Sequence, residues 1–289
     1  MNVEPIAFSS AMRHALGAAL DVAAAPTTVL LTGETGTGKE VLARFIHQMS
    51  ARTALPFTTI AGASIDLEQV DAALRHGGTV LLDEIGSIPM EMQGRLLLLL
   101  EGAHASRVIA TSHRDLQELV DRGQLRSDLY YRLDVFPIVV PPLRERKEDI
   151  SPLADLLLQR ASQNLGRVPV RLTGEALGLL ESQRWPGNVR ELANALERAT
   201  IRARGPLIEA ADLGLTARPV DPSFFPTHLP LDLDQLERLA IAEALRRTAG
   251  NRTHAARLLN IGLRTLRQKL NTPSPAVDAG ASAGAEAHP

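Results

Sequence analysis

Three features of this 289-residue sequence predict an α/β protein with a parallel sheet, continued by a helical region and followed by an all-α helix-turn-helix unit. The first is Gly33-Glu34-Thr35-Gly36-Thr37-Gly38-Lys39-Glu40, a glycine-rich turn between the apolar run 28–32 and the helix-like stretch 41–49. The second is Thr79-Val80-Leu81-Leu82-Asp83-Glu84, an apolar run too unbroken for a half-exposed strand and ended by two acids. The third lies in 250–270, where Asn260-Ile261-Gly262 makes a tight turn and the basic residues carry no acid among them.

The elements follow in order. Ser9 and Ser10 cap a helix over 11–23, which Pro26 ends while preparing an extended strand over 27–32. No domain is expected ahead of this helix. After the glycine turn come a helix to about 50, a strand over 57–61 and a helix over about 67–75. Gly77-Gly78 then punctuate before the central parallel strand 79–84. A leucine-rich helix is expected over 89–101, a third apolar strand over 105–112, and a strand over 135–140 that closes the α/β part. Pro141-Pro142 mark a hinge into a helical stretch from about 147 to 203. Residues 217–230, with four prolines and no clear periodicity, read as a linker. Apolar spacing over 231–271 gives one long helix to 249 and two shorter ones, and the Ala, Pro, Gly and Ser-dominated tail 272–289 is expected to be disordered.

Composition bounds the function. The length accommodates about two domains, and 45% hydrophobic residues are ample for a core. A net charge of −2 excludes polyanion binding by the chain as a whole, so any nucleic-acid surface has to be local. The absence of cysteine excludes disulfides and thiolate chemistry and suits a reducing cytosol. Met1-Asn2-Val3-Glu4-Pro5 lacks the basic and apolar regions of a signal peptide, and the Leu96 to Leu100 run is far too short to span a bilayer. A cytoplasmic protein without a membrane partner is expected.

The glycine turn reads as a phosphate cradle. Gly33, Gly36 and Gly38 let the backbone take positive φ and turn its N–H groups inward, while the following helix directs its positive end to the same spot. Lys39 adds a mobile point charge for β- and γ-phosphates, whereas Glu40 stands where the general phosphate-loop pattern has a hydroxyl for Mg²⁺. A bent glycine turn of no further consequence is the bland alternative, and the strand–loop–helix context weighs against it. Asp83 would hold the Mg²⁺ shell and Glu84 would polarise the attacking water, because an apolar strand beside a phosphate loop delivers its C-terminal end to the same crevice. For Thr111-Ser112-His113 two readings stand: a polar group reading the γ-phosphate from the strand end, or a capping cluster for the helix beginning at Asp115. Arg126 and Arg132 likewise read either as a solvated helix face or as functional cations. In the C-terminal unit, Arg264, Thr265, Arg267 and Gln268 open the second short helix and would meet base edges of double-stranded DNA, with Arg252, Thr253 and Lys269 beside them and Arg252 and Lys269 on phosphate. A unit this small is expected to dimerise through its first helix.

In this order, these residues resemble the AAA+ bacterial enhancer-binding proteins, the sigma-54 activator family, from about Phe8 to Asn271. The resemblance rests on GETGTGKE at 33–40, GGTVLLDEIG at 77–86, LRSDLYYRLDVFPI at 125–138, PPLRER at 141–146, WPGNVREL at 185–192 and a Fis-like helix-turn-helix at 250–270. It implies an AAA+ P-loop core over 1–143, a helical lid over 144–216, a linker over 217–230 and a DNA-binding domain over 231–271. In that family Glu40 is the usual residue. The resemblance further implies that ATP and Mg²⁺ occupy interfaces of a ring, a hexamer, with Arg126 and Arg132 as arginine fingers reaching the neighbouring subunit's nucleotide. His113 then lies in the first sensor and Arg190 is the second sensor in the lid. RNA polymerase holoenzyme is the implied partner. Three departures accompany the match. The family's loop bearing Gly-Ala-Phe-Thr-Gly-Ala has neither signature nor room in 63–76, the second surface loop is reduced to 102–106, and Ala61 stands at the place of an Asn that partners the catalytic Glu. Glu84 is therefore expected to be unpartnered and no N-terminal receiver domain is expected; the alternatives to a regulator acting as a homomeric ring are a partner subunit that joins and modulates a full-length homologue, and an AAA+ remodelling ATPase with no promoter role, which would leave the C-terminal basic unit unexplained.

Overall fold

In the computed structural model the chain divides into two compact units, 1–218 and 219–289. The structure describes residues 5–215 and, in the second unit, residues 241, 244–246, 248, 251–252, 255–256, 261–262, 265–266 and 269. The linker 217–230 and the tail 272–289 lie outside the described residues.

Ser9 starts helix α1 (Ser10–Ala23), its hydroxyl accepting from the Met12 N–H at 3.2 Å. Strand β1 (Val29–Thr32) runs into the glycine turn and α2 (Lys39–Gln48). β2 (Phe57–Ala61) is joined to α3 (Leu67–Arg75) by a single 3-10 turn, Gly62–Ser64. β3 (Thr79–Asp83), α4 (Met90–Glu101), β4 (Arg107–Ser112), α5 (Leu116–Asp121), α6 (Ser127–Leu133) and β5 (Phe136–Val139) follow. The strands form one parallel five-stranded sheet in the order β2-β3-β4-β1-β5. Both faces are covered, which is why the central strands are apolar without alternation. Leu30, Val80, Leu82, Val108 and Ala110 pack with Val70, Leu74, Leu96, Leu100 and Leu129 on one face. Val29, Leu31, Leu81, Ile109 and Ile138 pack with Met12, Ala19, Leu42 and Ile46 on the other. The order places β1 between β4 and β5 and β4 between β3 and β1, so the C-terminal ends of β1, β3 and β4 open on one crevice, where ligands of open α/β sheets bind. Arg107, only 1% exposed, fixes the base of the sheet by donating to the carbonyls of Val22, Ala23 and Thr27 at 2.8–3.2 Å, satisfying the open end of α1.

The region after Pro142 is the helical stretch expected over about 147–203, with a pair of short strands that was not expected. It contains α7 (Ile150–Asn164), β6 (Arg171–Leu172), α8 (Gly174–Ser182), α9 (Asn188–Arg202), β7 (Leu207–Ile208) and α10 (Ala210–Leu213), with β6 and β7 paired in parallel. A two-residue strand has too few positions to carry a periodic signal. The region has its own core around Trp185, which is 1% exposed and donates Nε1–H to the Leu180 carbonyl at 2.8 Å.

In the second unit Ile241, Ala244, Ala255, Ala256 and Leu266 are buried together, with Leu245 and Ile261 packed against them. The Ile261 N–H donates to the Ala256 carbonyl at 3.0 Å and the Leu266 N–H to the Gly262 carbonyl at 3.0 Å, so the chain turns at Ile261-Gly262 and starts a new helical turn. Among the described residues no helix is long and apolar enough to cross a membrane.

Candidate functional site

The glycine turn is a cradle with the backbone conformations that glycine allows: φ is +79° at Gly36 and +100° at Gly38, both in the left-handed region. Gly38 is the residue before α2, so the free N–H groups of the first helical turn face the crevice. A side chain at Gly36 would in addition drive into the Gly187 carbonyl. A cavity of about 540 Å³ opens here, and its lining includes Thr35, Gly36, Lys39, Asp83, Glu84 and Arg190. Gly38, Glu40 and His113 line it as well. Gly33, Glu34 and Thr37 belong to the loop but face elsewhere: the Thr37 hydroxyl donates to the Glu34 carbonyl at 2.8 Å, bracing the turn from inside. Glu40 turns its carboxylate to Arg44 at 2.7 Å.

Lys39 is not the mobile, solvent-facing charge expected from the sequence. It is 6% exposed, and Nζ contacts the Gly33 carbonyl at 2.8 Å, the Glu34 carbonyl at 3.3 Å and Glu84 Oε1 at 3.2 Å. Nor is Glu84 unpartnered. It sits at φ +58°, a left-handed turn that swings its carboxylate off the strand, and Oε2 accepts from both the backbone N–H (2.9 Å) and Nδ1 of His113. Burial pushes the Glu84 carboxyl up, but the His113 hydrogen bond and the Lys39 charge outweigh it, so the group is held below its ordinary pKa. Thr111, which sequence reasoning left without a settled role, organises the acid pair: its hydroxyl donates to Asp83 Oδ1 at 2.6 Å and accepts from the Glu84 N–H at 2.8 Å. Neither Thr111 nor His113 caps α5, because Asp115 does so with its own carboxylate. Among the described residues no cluster of three or more His, Asp or Glu is placed to hold a metal by itself. The single carboxylate of Asp83, with one oxygen on Thr111, suits Mg²⁺, which takes one or two carboxylates together with substrate phosphates.

The lid region is latched to the cradle by residues that sequence reasoning did not single out. Asn188, fully buried at φ +52°, accepts from the Leu143 N–H at 2.7 Å and donates to Glu34 Oε2 and the Thr35 carbonyl, both at 3.1 Å. Arg144 pairs with Glu34 at 2.7 Å, and the Val189 N–H donates to the Gly36 carbonyl at 2.9 Å. Arg146, also buried, donates to the Thr37 carbonyl, and Asp149 accepts from the Phe8 and Ser9 N–H groups, tying the hinge to both the loop and α1. These contacts bring Arg190, the third residue of α9, to the cavity. The signal available beforehand was Asn after Gly in WPGN, since asparagine is the side chain that best tolerates a left-handed turn.

Arg126 and Arg132 do not line this cavity. Arg126 stands ahead of α6 in an exposed pair with Asp128 at 2.8 Å, and Arg132 donates to the Leu100 carbonyl at 2.6 Å. Of the residues expected to meet DNA, Arg252, Thr265 and Lys269 are exposed, while Thr253, Arg264, Arg267 and Gln268 lie outside the described residues.

Three family models match consecutive parts of the chain: the sigma-54 interaction domain over residues 7–143, an AAA+ ATPase lid domain over 144–223, and the Fis family of bacterial regulatory proteins over 232–272. The response regulator protein FleR of Pseudomonas aeruginosa is 38% identical, over 92% of this chain and 69% of its own length. The transcriptional regulatory protein ZraR of Klebsiella oxytoca is 39% identical over 298 aligned positions, covering 91% of this chain and 67% of ZraR. Among solved structures, NtrX from Brucella abortus in complex with ATP superimposes with a TM-score of 0.68 at 29% identity, covering 92% of this chain and 69% of NtrX. The parallel sheet, the cradle, the latched lid and these relatives agree, and the chain belongs to the sigma-54 interaction domain family of bacterial transcriptional regulators, with an AAA+ core and a Fis-type DNA-binding unit.

Proposed function

We propose that this chain binds ATP with Mg²⁺ in the Lys39–Asp83–Glu84 cavity and hydrolyses it where two copies meet, in the service of transcription from DNA bound by its C-terminal unit. The observation that carries the proposal is one cavity in which the loop lysine, the acid pair at the end of β3 and Arg190 of the lid converge. Solved NtrX structures in complex with ATP and with ADP support the choice of ligand. Lys39, Arg190 and the N–H groups of the cradle bind and orient the phosphates, and Asp83 would hold a Mg²⁺ ion, which would supply positive charge against the phosphate oxygens. Glu84 takes a proton from water as the water oxygen bonds to the γ-phosphorus. The bond to the bridging oxygen breaks, ADP and phosphate leave, and the proton passes to solvent. An arginine supplied by a neighbouring subunit stabilises the charge that develops in phosphoryl transfer, and Arg126 and Arg132, which do not line the cavity of their own chain, are assigned that role towards a neighbour in a ring. Cytoplasmic placement goes with this reading.

A second reading is favoured by the connection between β2 and β3. Residues 62–78 form one short turn and one helix, without Phe, Tyr or Trp, where the family carries its sigma-gripping loop. The 298-position alignment to ZraR, longer than the stretch of this chain it uses, supports a shortening of this kind. We infer that the chain acts on RNA polymerase only with a loop-bearing homologue in a mixed ring, or on a different sigma-factor holoenzyme. The test is equilibrium ATP binding and phosphate release by the purified chain, with Lys39→Ala as control, followed by transcription from a sigma-54 promoter. Binding lost in Lys39→Ala is expected, and unchanged affinity would remove the site assignment. Promoter opening by this chain alone would remove the second reading.

A further inference from the structure

The grip on Glu84 comes from one side only. In the sheet register Ala61 of β2 lies beside Asp83, with no polar side-chain atom to offer, and the next residue, Gly62, closes that side with backbone against the Glu84 carbonyl. On the β4 side, His113 places two donors on one carboxylate oxygen: its N–H at 2.9 Å and its ring Nδ1, both on Oε2. Oε1 meets Lys39 alone, at 3.2 Å. Lys39 has three protons to donate, and the Gly33 carbonyl, the Glu34 carbonyl and Glu84 Oε1 take all of them. An arriving phosphate competes with these three acceptors, Oε1 among them, for the Lys39 protons, while the two bonds from His113 involve none of them.

We infer that His113 is a positioning residue for Glu84. It fixes Oε2 so that Oε1 is the oxygen presented to the attacking water. The inference rests on the ATPase reading above. The terminal torsion of a glutamate is broad and roughly two-fold, so a carboxylate held by nothing spreads over many directions, and a base displaced by about 1 Å loses up to about 10²-fold in rate. The side chain of His113 is 40% exposed and packs little, so its contribution lies in this contact more than in the core.

The role differs from direct reading of the γ-phosphate, because with Nδ1 and N–H committed to Glu84 only Nε2 could face a phosphate. Asparagine separates the two: its Nδ2 hangs from Cγ as Nδ1 does in histidine, and it has no counterpart of Nε2. The experiment compares wild type, His113→Ala and His113→Asn by equilibrium affinity for ATP, by kcat and KM for phosphate release, and by the His113 amide resonance in the nucleotide-free chain. The expected result is a kcat lowered between about 10- and 100-fold in His113→Ala with affinity within about threefold of wild type. His113→Asn regains most of that loss. In the nucleotide-free chain, Glu84→Gln shifts the His113 amide resonance. A loss of affinity at unchanged kcat, or an Asn variant as slow as Ala, overturns the inference. Failure of the wild-type chain to bind nucleotide defeats the ATPase reading instead, and the amide resonance still decides the contact: if Glu84→Gln leaves it in place, His113 does not hold Glu84.

Discussion

Replacing Asn188 by alanine should loosen the lid from the phosphate loop, and the structure sets the size of the effect. The substitution leaves the Leu143 N–H, at a residue with no exposed surface, without an acceptor, a loss of about 1–3 kcal/mol. It removes the donor to Glu34 and the Thr35 carbonyl; since Glu34 is 42% exposed, solvent screening limits that share to well under about 1 kcal/mol. It also puts an ordinary side chain at φ +52°, which costs about 1 kcal/mol. The total, about 3 kcal/mol, corresponds at about 2–4 °C per kcal/mol for a unit of this size to a Tm lowered by about 6–12 °C. Asn188→Gly keeps the bond losses and relieves the strain, so its shift should be smaller. Trp185 is the single tryptophan and lies buried three residues away, so the melting of the lid can be followed by its fluorescence. A Tm for Asn188→Ala within about 2 °C of wild type would refute the latch.

Three further predictions concern the loop, pH and DNA. Gly36→Ala should abolish nucleotide binding and destabilise the first unit, because the new methyl group meets the Gly187 carbonyl at a backbone angle of +79°; calorimetry and ATP titration on one sample check both. Glu34 is held below its ordinary pKa of 4.5, first by the Arg144 hydrogen bond and then by Asn188. Its contribution to stability is therefore complete above pH 4.5 and lost as pH falls through the lowered folded value, and Glu34→Gln should flatten the acid limb of a Tm-against-pH curve. In DNA binding, Lys269→Ala should weaken all sequences alike and lower the salt slope by about one, whereas Arg267→Ala should relax sequence preference; identical behaviour of the two in a titration against varied sequences would remove the assignment.

Much of the fold was legible because its signals are local. The apolar stretches leading to Thr32, Asp83 and Ser112 became the central strands, and the glycines of the cradle marked the turn between β1 and α2. What escaped the sequence is long-range. Asn188 meets Glu34 across 154 positions, and Arg146 meets Thr37 across 109, so neither has a periodicity or spacing by which to be found. Lys39 read as a free charge because its partner Glu84 is contributed by another strand, and Glu84 read as unpartnered because the expected place for its partner was β2 and the donors came from His113 beyond β4. The β6–β7 pair, two residues a side, is set by the packing of α7, α8 and α9 around Trp185 and has no pattern of its own.

The shared site is the claim on which the functional account depends, and subunit mixing tests it most directly. Glu84→Gln leaves a chain that binds ATP and keeps both arginines but lacks the base, and Arg126→Ala or Arg132→Ala leaves one that keeps the base but lacks a cation for its neighbour. Alone, the arginine variants should release phosphate at least about 10³-fold more slowly than wild type, and Glu84→Gln about 10²–10⁴-fold more slowly. Mixed in equal amounts, they should recover activity, because some interfaces then join an intact Glu84 to an intact arginine. The account predicts a rate that rises from near zero at either end to a maximum at an intermediate ratio; a rate that stays flat at every ratio, with mixed assembly verified, would contradict it.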